Sequence, residues 1–313
     1  MQSNDDHLLR TQATSMRSVN HAVRVGGFTF VRNAVRFDYP VCESIASLLP
    51  LVNTLVVLLG NSEDGTSDML RQHFADEPRI RWVDSVWDDR LREGGRVLAV
   101  ETDKAYQALG REFDWVIYLQ ADEVIHQNDY PVLRKAMEQH LGNPKVEGLL
   151  LQYKHFYGSY DYVGINRRWY RREVRVMRPL PGLHAWRDAQ GFRCDGRKLL
   201  VKSTMARVFH YGWVKNPLQQ QDKQVNFNRL WHSDEYVQEH IAVRETYEYG
   251  GNEQLDTFTG SHPAVMEKRI ARQDWTFVYK PRAVKPTRRE KLLLIWEQIT
   301  GRRLFEYRNY TEV

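Results

Sequence analysis

Asp114-Trp115-Val116-Ile117-Tyr118-Leu119-Gln120-Ala121-Asp122-Glu123 joins a short apolar run to two adjacent carboxylates. Trp115 to Leu119 has the length and the β-branched and aromatic content of a strand buried on both faces. Acids delivered at the end of such a strand point to chemistry. In open α/β sheets ligands bind beyond the carboxyl ends of the strands, and adjacent carboxylates there suit a divalent cation, which in turn suits a phosphate. The plain alternative is a turn begun by Asp122 with Glu123 solvated.

Working back from this strand, Val23 to Arg32 reads as a first strand that ends at Asn33. Val41, Ile45, Leu48 and Leu49 follow Pro40 and form one apolar helix face that stops at Pro50. Thr54 to Leu59 is a second buried strand, broken by the polar loop Gly60-Asn61-Ser62-Glu63-Asp64-Gly65-Thr66, and Arg79 to Val83 is a third. Leu98, Ala105 and Leu109 mark the helix before the central strand. This alternation is the pattern of a largely parallel sheet covered by helices. Its strand-to-helix turns, at Asn33, Asn61 to Thr66, Trp87 to Gly95 and Asp122, then open on one edge.

Downstream, Val132, Leu133, Ala136, Met137, His140 and Leu141 outline another helix, and Val146 to Gln152 a further strand. Tyr, Trp, Arg and Gly dominate Lys154 to Trp186, which suits a loop-rich region that receives a partner molecule. Trp169 to Met177 and Ala206 to Val214 read as strands, and Pro217 to His240 as helix. Four parts are expected: a polar segment 1–22, an α/β half 23–152, a loop-rich half 153–216 and a mostly helical extension 217–313.

The 313 residues, 42% hydrophobic and 27% charged, have the composition of a globular protein. No run approaches the roughly 18 apolar residues that cross a bilayer, and the first twenty residues lack the apolar core of a secretory signal, so a cytoplasmic location is expected. Cys42 and Cys194 form neither a disulfide framework nor a zinc spacing. The net charge of +5 is concentrated in Arg167 to Arg178 and Lys280 to Lys291, clusters that serve phosphate, nucleic acid or anionic lipid, or are solvated faces. No G-x-G-x-x-G follows the first strand, and neither a P-loop nor a G-x-S-x-G elbow occurs. Dinucleotide-dependent dehydrogenases, P-loop NTPases and α/β-hydrolases are thereby set aside.

Val31-Arg32-Asn33, Ser62-Glu63-Asp64-Gly65-Thr66 and Leu119-Gln120-Ala121-Asp122-Glu123 resemble, in order and spacing, the successive signatures of family 2 nucleotide-sugar glycosyltransferases of the GT-A type. The resemblance covers Val23 to Gln152. It implies a GT-A-like, mostly parallel sheet flanked by helices, with a loop-rich acceptor region and a helical C-terminal extension. It also implies transfer of a sugar from a nucleotide-sugar donor to an acceptor hydroxyl, with inversion and with Mn²⁺ or Mg²⁺. The family's D-x-D maps its metal ligand to Asp122. Gln120 stands where the first acid belongs, and Leu59 and Gly60 stand where acids often read the base and ribose. The donor site would comprise Val31, Arg32, Asn33, Asn61, Glu63, Asp64, Gln120, Ala121 and Asp122.

In similar enzymes a late histidine completes the metal or diphosphate site, and His210 in Phe209-His210-Tyr211-Gly212-Trp213 matches best; a hydrogen-bonded core histidine is the plain reading. Inverting members place an acid on the acceptor hydroxyl. Here His184-Ala185 lacks the family's glutamate, so Asp188 is the candidate base, with Asp161 and Asp195 behind it. Arg171, Arg172 and Arg175 are candidates to clamp the diphosphate or an anionic acceptor. The acceptor is expected to be a glycan, a lipid-linked molecule or a small molecule, in surface polysaccharide or glycoconjugate synthesis. Two rivals stand beside this reading: a nucleotidyltransferase, expected to carry a Gly-rich basic loop after its first strand, and a non-catalytic nucleic-acid binder, for which no recognisable module is present. The apolar residues from Leu292 to Phe305, beside Lys285, Arg288, Arg289 and Lys291, resemble an interfacial helix in peripheral contact with the inner face of a membrane.

Overall fold

A computed structural model describes residues 22–91, 93–250, 253–280, 288–301 and 303–313. The polar segment 1–22 lies outside them except for Ala22, as does Lys285. In the first half, β1 (Val25–Val31), β2 (Thr54–Leu59), β3 (Ile80–Asp84) and β4 (Trp115–Tyr118) alternate with α1 (Val41–Leu48), α2 (Thr66–His73) and α3 (Arg96–Leu109). The strands run parallel in the order β3-β2-β1-β4, with Phe28 of β1 level with Val56 and Tyr118.

Strand periodicity explains the layering. Leu55, Val57 and Leu59 pack on one face with Ile45, Leu48 and Leu70, whereas Val56 and Leu58 pack on the other with Ala105 and Leu109. With both faces covered, β2 reads as a continuous apolar run. Val97, Glu101, Ala105 and Leu109 recur every fourth residue on the buried side of α3. Because all four strands point the same way, the loops after β1, β2, β3 and β4 meet at one edge.

The second half comprises β5 (Glu123–Ile125), α4 (Tyr130–His140), β6 (Gly148–Tyr157), β7 (Tyr162–Gly164), β8 (Arg172–Met177), β9 (Leu183–Trp186), β10 (Gly191–Cys194) and β11 (Arg197–Trp213). After it come α5 (Pro217–Asn228), α6 (Asp234–His240), β12 (Leu255–Thr257), α7 (Glu267–Ile270), α8 (Arg288–Thr300) and β13 (Tyr310–Glu312). Here the sheet turns mixed: β8 runs antiparallel to both β4 and β6, while β6 and β11 are parallel. Strand β11 exceeds the expected Ala206–Val214 because its first residues pair with β6, β10 and β13. The expected helix over 217–240 is divided, with Ser233 Oγ capping α6 by accepting from Tyr236 N. Nor is the C-terminal part all helix, since β12 and β13 return to pair with β7 and β11.

The acids after β4 part company. Glu123 is fully buried and pairs with Arg175, also fully buried, through two 2.8 Å hydrogen bonds. Its carboxylate also accepts from Tyr153 Oη (2.8 Å) and Gln120 N (3.1 Å), and Arg175 Nη1 donates to Gln190 O (2.9 Å). This network ties the end of β4 to β6 and β8. Removing one partner of such a pair strands the other charge at a cost of about 3–5 kcal/mol, whereas replacing both leaves none stranded. Arg175→Met should therefore lower the urea unfolding free energy by about that amount, and Glu123→Gln/Arg175→Met should regain at least half of it. Simple addition of the two single losses would show that the charges are not coupled.

Candidate functional site

The loops at the carboxyl edge of β1 to β4 surround a cleft of about 770 Å³, within the range of small-molecule sites. Val31, Arg32 and Asn33 line it from the end of β1, Glu63 from the loop after β2, and Gln120, Ala121 and Asp122 from the end of β4. Lys223, Arg229 and Asp234 line it from the region of α5 and α6. Asn33 adopts φ 54°, accepts from Glu63 N at Oδ1 (3.0 Å) and donates its own N–H to Ser62 Oγ (2.9 Å). Asn61 and Asp64 brace the loops instead of lining the cleft. Asn61 Oδ1 accepts from Trp87 N (3.1 Å), and Asp64 accepts from Thr66 N, Thr66 Oγ1 and Arg36 N at 3.1, 2.6 and 2.7 Å.

Strand register brings His210 to Asp122. In the antiparallel β5–β11 pair His210 is level with Glu123, and Tyr211 N donates to Asp122 O at 2.8 Å. His210 Nε2 lies 3.7 Å from Asp122 Oδ2. Lys223 Nζ lies 3.4 Å from the same oxygen and donates to Gly212 O at 2.8 Å. Gly212 admits no side chain, because a Cβ there would fall 2.5 Å from Asp122 Oδ2 and 2.8 Å from His210 Nε2. Lys215, fully buried, donates to Asp38 O at 3.2 Å, and both ammoniums sit 4.9 Å from the Tyr39 ring centroid.

Burial opposes charge at Asp122, but His210, Lys223 and Lys215 outweigh it and bring the carboxyl down to about 2. Burial lowers His210 in spite of Asp122, so the imidazole is neutral at pH 7, where Lys223 is the adjacent counterion; the charge of His210 bears on Asp122 at the acid pH where the carboxyl titrates. Among the described residues no three His, Cys, Asp or Glu side chains converge. Asp122 and His210 nonetheless present one carboxylate and one imidazole nitrogen to a common space, a donor pair that fits a divalent cation whose other ligands come from a phosphate or water.

Three expected clamps lie elsewhere. Arg175 is spent on Glu123, Arg171 pairs with Glu306 (3.1 Å), and Arg172 donates to Ser203 Oγ (2.8 Å) and faces Glu312 (3.3 Å). The whole run is engaged internally: Arg167 with Glu297, Arg168 with Glu253, and Arg178 with the carbonyls of His140, Leu141 and Val146. Asp188 lines a second cavity of about 820 Å³ with Asp103, His184 and Trp231. Beside it Gly95 (φ 68°) packs so closely that a Cβ there would fall 2.9 Å from Trp231 and 3.2 Å from Asp188 Cβ. Glu63 and Asp234 are the other acids lining the main cleft. Lys215 and Lys223 escape notice in the sequence because neither belongs to a motif or a basic run.

No protein-family model matches the chain, and no curated protein matches it. Among solved structures it is similar to S. aureus TarS, at 11% identity over 66% of this chain and 39% of that one, with a TM-score of 0.38. It is similar to the mannosyltransferase PcManGT from Pyrobaculum calidifontis in complex with GDP-Man and Mn²⁺, at 18% identity over 42% and 35%, TM-score 0.32. A third, 4-diphosphocytidyl-2C-methyl-D-erythritol synthase from Anaerococcus prevotii, shows 11% identity over 69% and 97%, TM-score 0.37. The matches span less than half of the first two chains. The layered α/β architecture is read from this chain's own strand order and covering helices. Likeness this slight says nothing of reaction or ligand, which rest on the residues of the cleft.

Burial, with Lys223 adding to it, holds the Lys215 amine well below its ordinary value. A folded state that releases this proton while the unfolded chain keeps it gains stability as pH rises toward the unfolded value of about 10.4. Lys215→Met should accordingly be more stable than the wild type by about 1 kcal/mol or more at neutral pH. The advantage should be largest at low pH and vanish near pH 10. Urea titrations at pH 6, 8 and 10 check this, and an advantage indifferent to pH would mean an ordinary lysine.

Proposed function

We propose that the protein is a glycosyltransferase that moves a sugar from a nucleotide-sugar donor to an acceptor hydroxyl. The observation that carries this reading is the meeting of Asp122, His210 and Lys223 at the carboxyl edge of the parallel strands, in a cleft large enough for a nucleotide-sugar. Asp122 and His210 would hold Mn²⁺; Mg²⁺, the other expected ion, prefers all-oxygen ligation. Such a cation, when bound, neutralises charge on the diphosphate leaving group.

The protein's own contribution is a fixed, partly dry field. Lys223 is held by Gly212 O beside Asp122, so its positive charge is in place before a diphosphate arrives and acts more strongly than it would in water. Arg32, Arg36 and Arg229 add positive charge along the same wall, Arg36 being oriented by Asp222 at 2.5 Å. A nucleotidyltransferase is less well supported, since Val31-Arg32-Asn33-Ala34 is not Gly-rich. The nucleic-acid reading loses its basis in the Arg167–Arg178 run, whose side chains face inward partners.

Thermal melts with UDP, GDP, TDP or CMP, each with Mn²⁺ or EDTA, test the proposal. One nucleotide at a hundredfold excess over its Kd should raise Tm by about 5 °C. The rise should require Mn²⁺, disappear in Asp122→Ala and shrink in Gly212→Ala. The proposal is lost if no nucleotide shifts the melt, or if the shift ignores Asp122.

We infer further that α8 brings the enzyme to an anionic lipid surface carrying a lipid-linked acceptor. Leu292, Ile295, Trp296 and Ile299 share one helix face and are 68%, 51%, 46% and 78% exposed. Exposed Arg288, Arg289 and Lys291 accompany them, while Glu297 turns inward to Arg167 and Arg303. An apolar stripe with a basic margin suits an anionic membrane interface. Among the described residues no helix is long and apolar enough to cross a membrane. In flotation assays the wild type should rise with phosphatidylglycerol-containing vesicles and Ile295→Glu/Ile299→Glu should stay behind. Wild-type protein that ignores those vesicles would exclude the lipid contact.

A further inference from the structure

His155, to which neither motif nor spacing gives a role, sits behind His210. The two are level in the parallel β6–β11 register. His155 is 2% exposed, with the Tyr153 and Trp169 rings stacked on it at centroid distances of 5.2 and 5.0 Å. Its Nε2 lies 2.8 Å from Tyr170 O, and its Nδ1 lies 3.1 Å from His210 Nδ1.

These contacts fix where the protons stand. A carbonyl oxygen only accepts, so His155 Nε2 carries a hydrogen. The ring is shut between Tyr153 and Trp169, and both of its nitrogens face uncharged partners, so a second hydrogen would leave a buried charge without a counterion; its Nδ1 is therefore bare and accepts from His210 Nδ1–H. A neutral His210 protonated at Nδ1 has a bare Nε2. That nitrogen faces Asp122 Oδ2 at 3.7 Å, too far for a hydrogen bond to join them. Two lone-pair groups therefore face the same space with no proton between them, and the hydrogen that reaches Asp122 Oδ2 comes from Lys223, at 3.4 Å.

We propose that His155 is a positioning residue that locks His210 as the Nδ1-protonated tautomer, so that Nε2 is offered to a divalent cation shared with Asp122. This rests on the metal site proposed above. Metal-bound histidines commonly donate their second N–H to an oxygen acceptor; here the acceptor is another imidazole, itself anchored to the backbone carbonyl of Tyr170. The arrangement orients the ring of His210 and leaves only one of its nitrogens available.

Two measurements on the full chain test the assignment. Long-range ¹⁵N–¹H spectra of histidine-labelled wild type, assigned with His210→Ala, should show His210 protonated at Nδ1. Protonation at Nε2 overturns the proposal and needs no variant to fold. Titration with Mn²⁺ alone, followed by the electron paramagnetic resonance of the free ion, should show about tenfold or weaker affinity in His155→Phe. That substitution keeps an aromatic ring and removes the acceptor. His155→Gln, which returns an acceptor oxygen, should restore binding to within about threefold. Equal affinity of His155→Phe and wild type overturns the positioning role and leaves the metal site standing. Wild-type protein that leaves Mn²⁺ free overturns the metal site and this proposal with it.

Discussion

The buried pair of Glu123 and Arg175 is the constraint on which the rest of the cleft depends. Two ions out of water must satisfy each other and every remaining hydrogen-bonding position, which leaves little freedom in where their strands lie. Glu123 is the first residue of β5, and β5 sets the register that places His210 beside Asp122. The adjacent acids of the sequence thus divide their labour. One anchors the turn from below, and the other is left at the surface of the cleft among cations.

Electrostatics at Asp122 follows from what surrounds it. A carboxylate there would be costly to bury alone, and the nearby ammoniums make it the stable form. Lys215 bears the reverse penalty: among the described residues its amine donates to the carbonyl of Asp38 and to no carboxylate. Lys223 and burial together oppose the charged form of Lys215, so the two amines do not share the site as equals.

The parallel half of the fold was legible because a strand covered on both faces leaves an unbroken apolar run, and because each run ends in polar residues that open on one edge. Thr54–Leu59 agrees with β2 to the residue, and the loop residues Val31 to Asn33, Glu63 and Gln120 to Asp122 do meet in one cleft. The arginines misled for a physical reason. A run of like charges looks like a surface patch until its counterions are known, and Glu297, Glu306 and Glu312 lie more than a hundred residues further along the chain. Asp188 lines a second cavity with Trp231 instead of the cleft, a placement that periodicity does not reveal. His155 and Lys223 acquire meaning only through strand register and helix placement.

The pairing of β13 with β11 bears on the order in which the molecule is completed. After Trp213 the chain does not pair with β11 again until Tyr310, so this contact closes a long loop and is entropically late. The same late stretch carries Glu297, Arg303 and Glu306, which hold Arg167, Arg171 and the carbonyl of Trp169. That short segment leads into Tyr170, whose carbonyl accepts a hydrogen bond from His155 Nε2. On a ribosome, β1 to β4 can therefore assemble well before the histidine relay has its anchor. A nascent chain would display the cleft's walls first, and the support behind His155 and His210 would follow only when β13 has emerged.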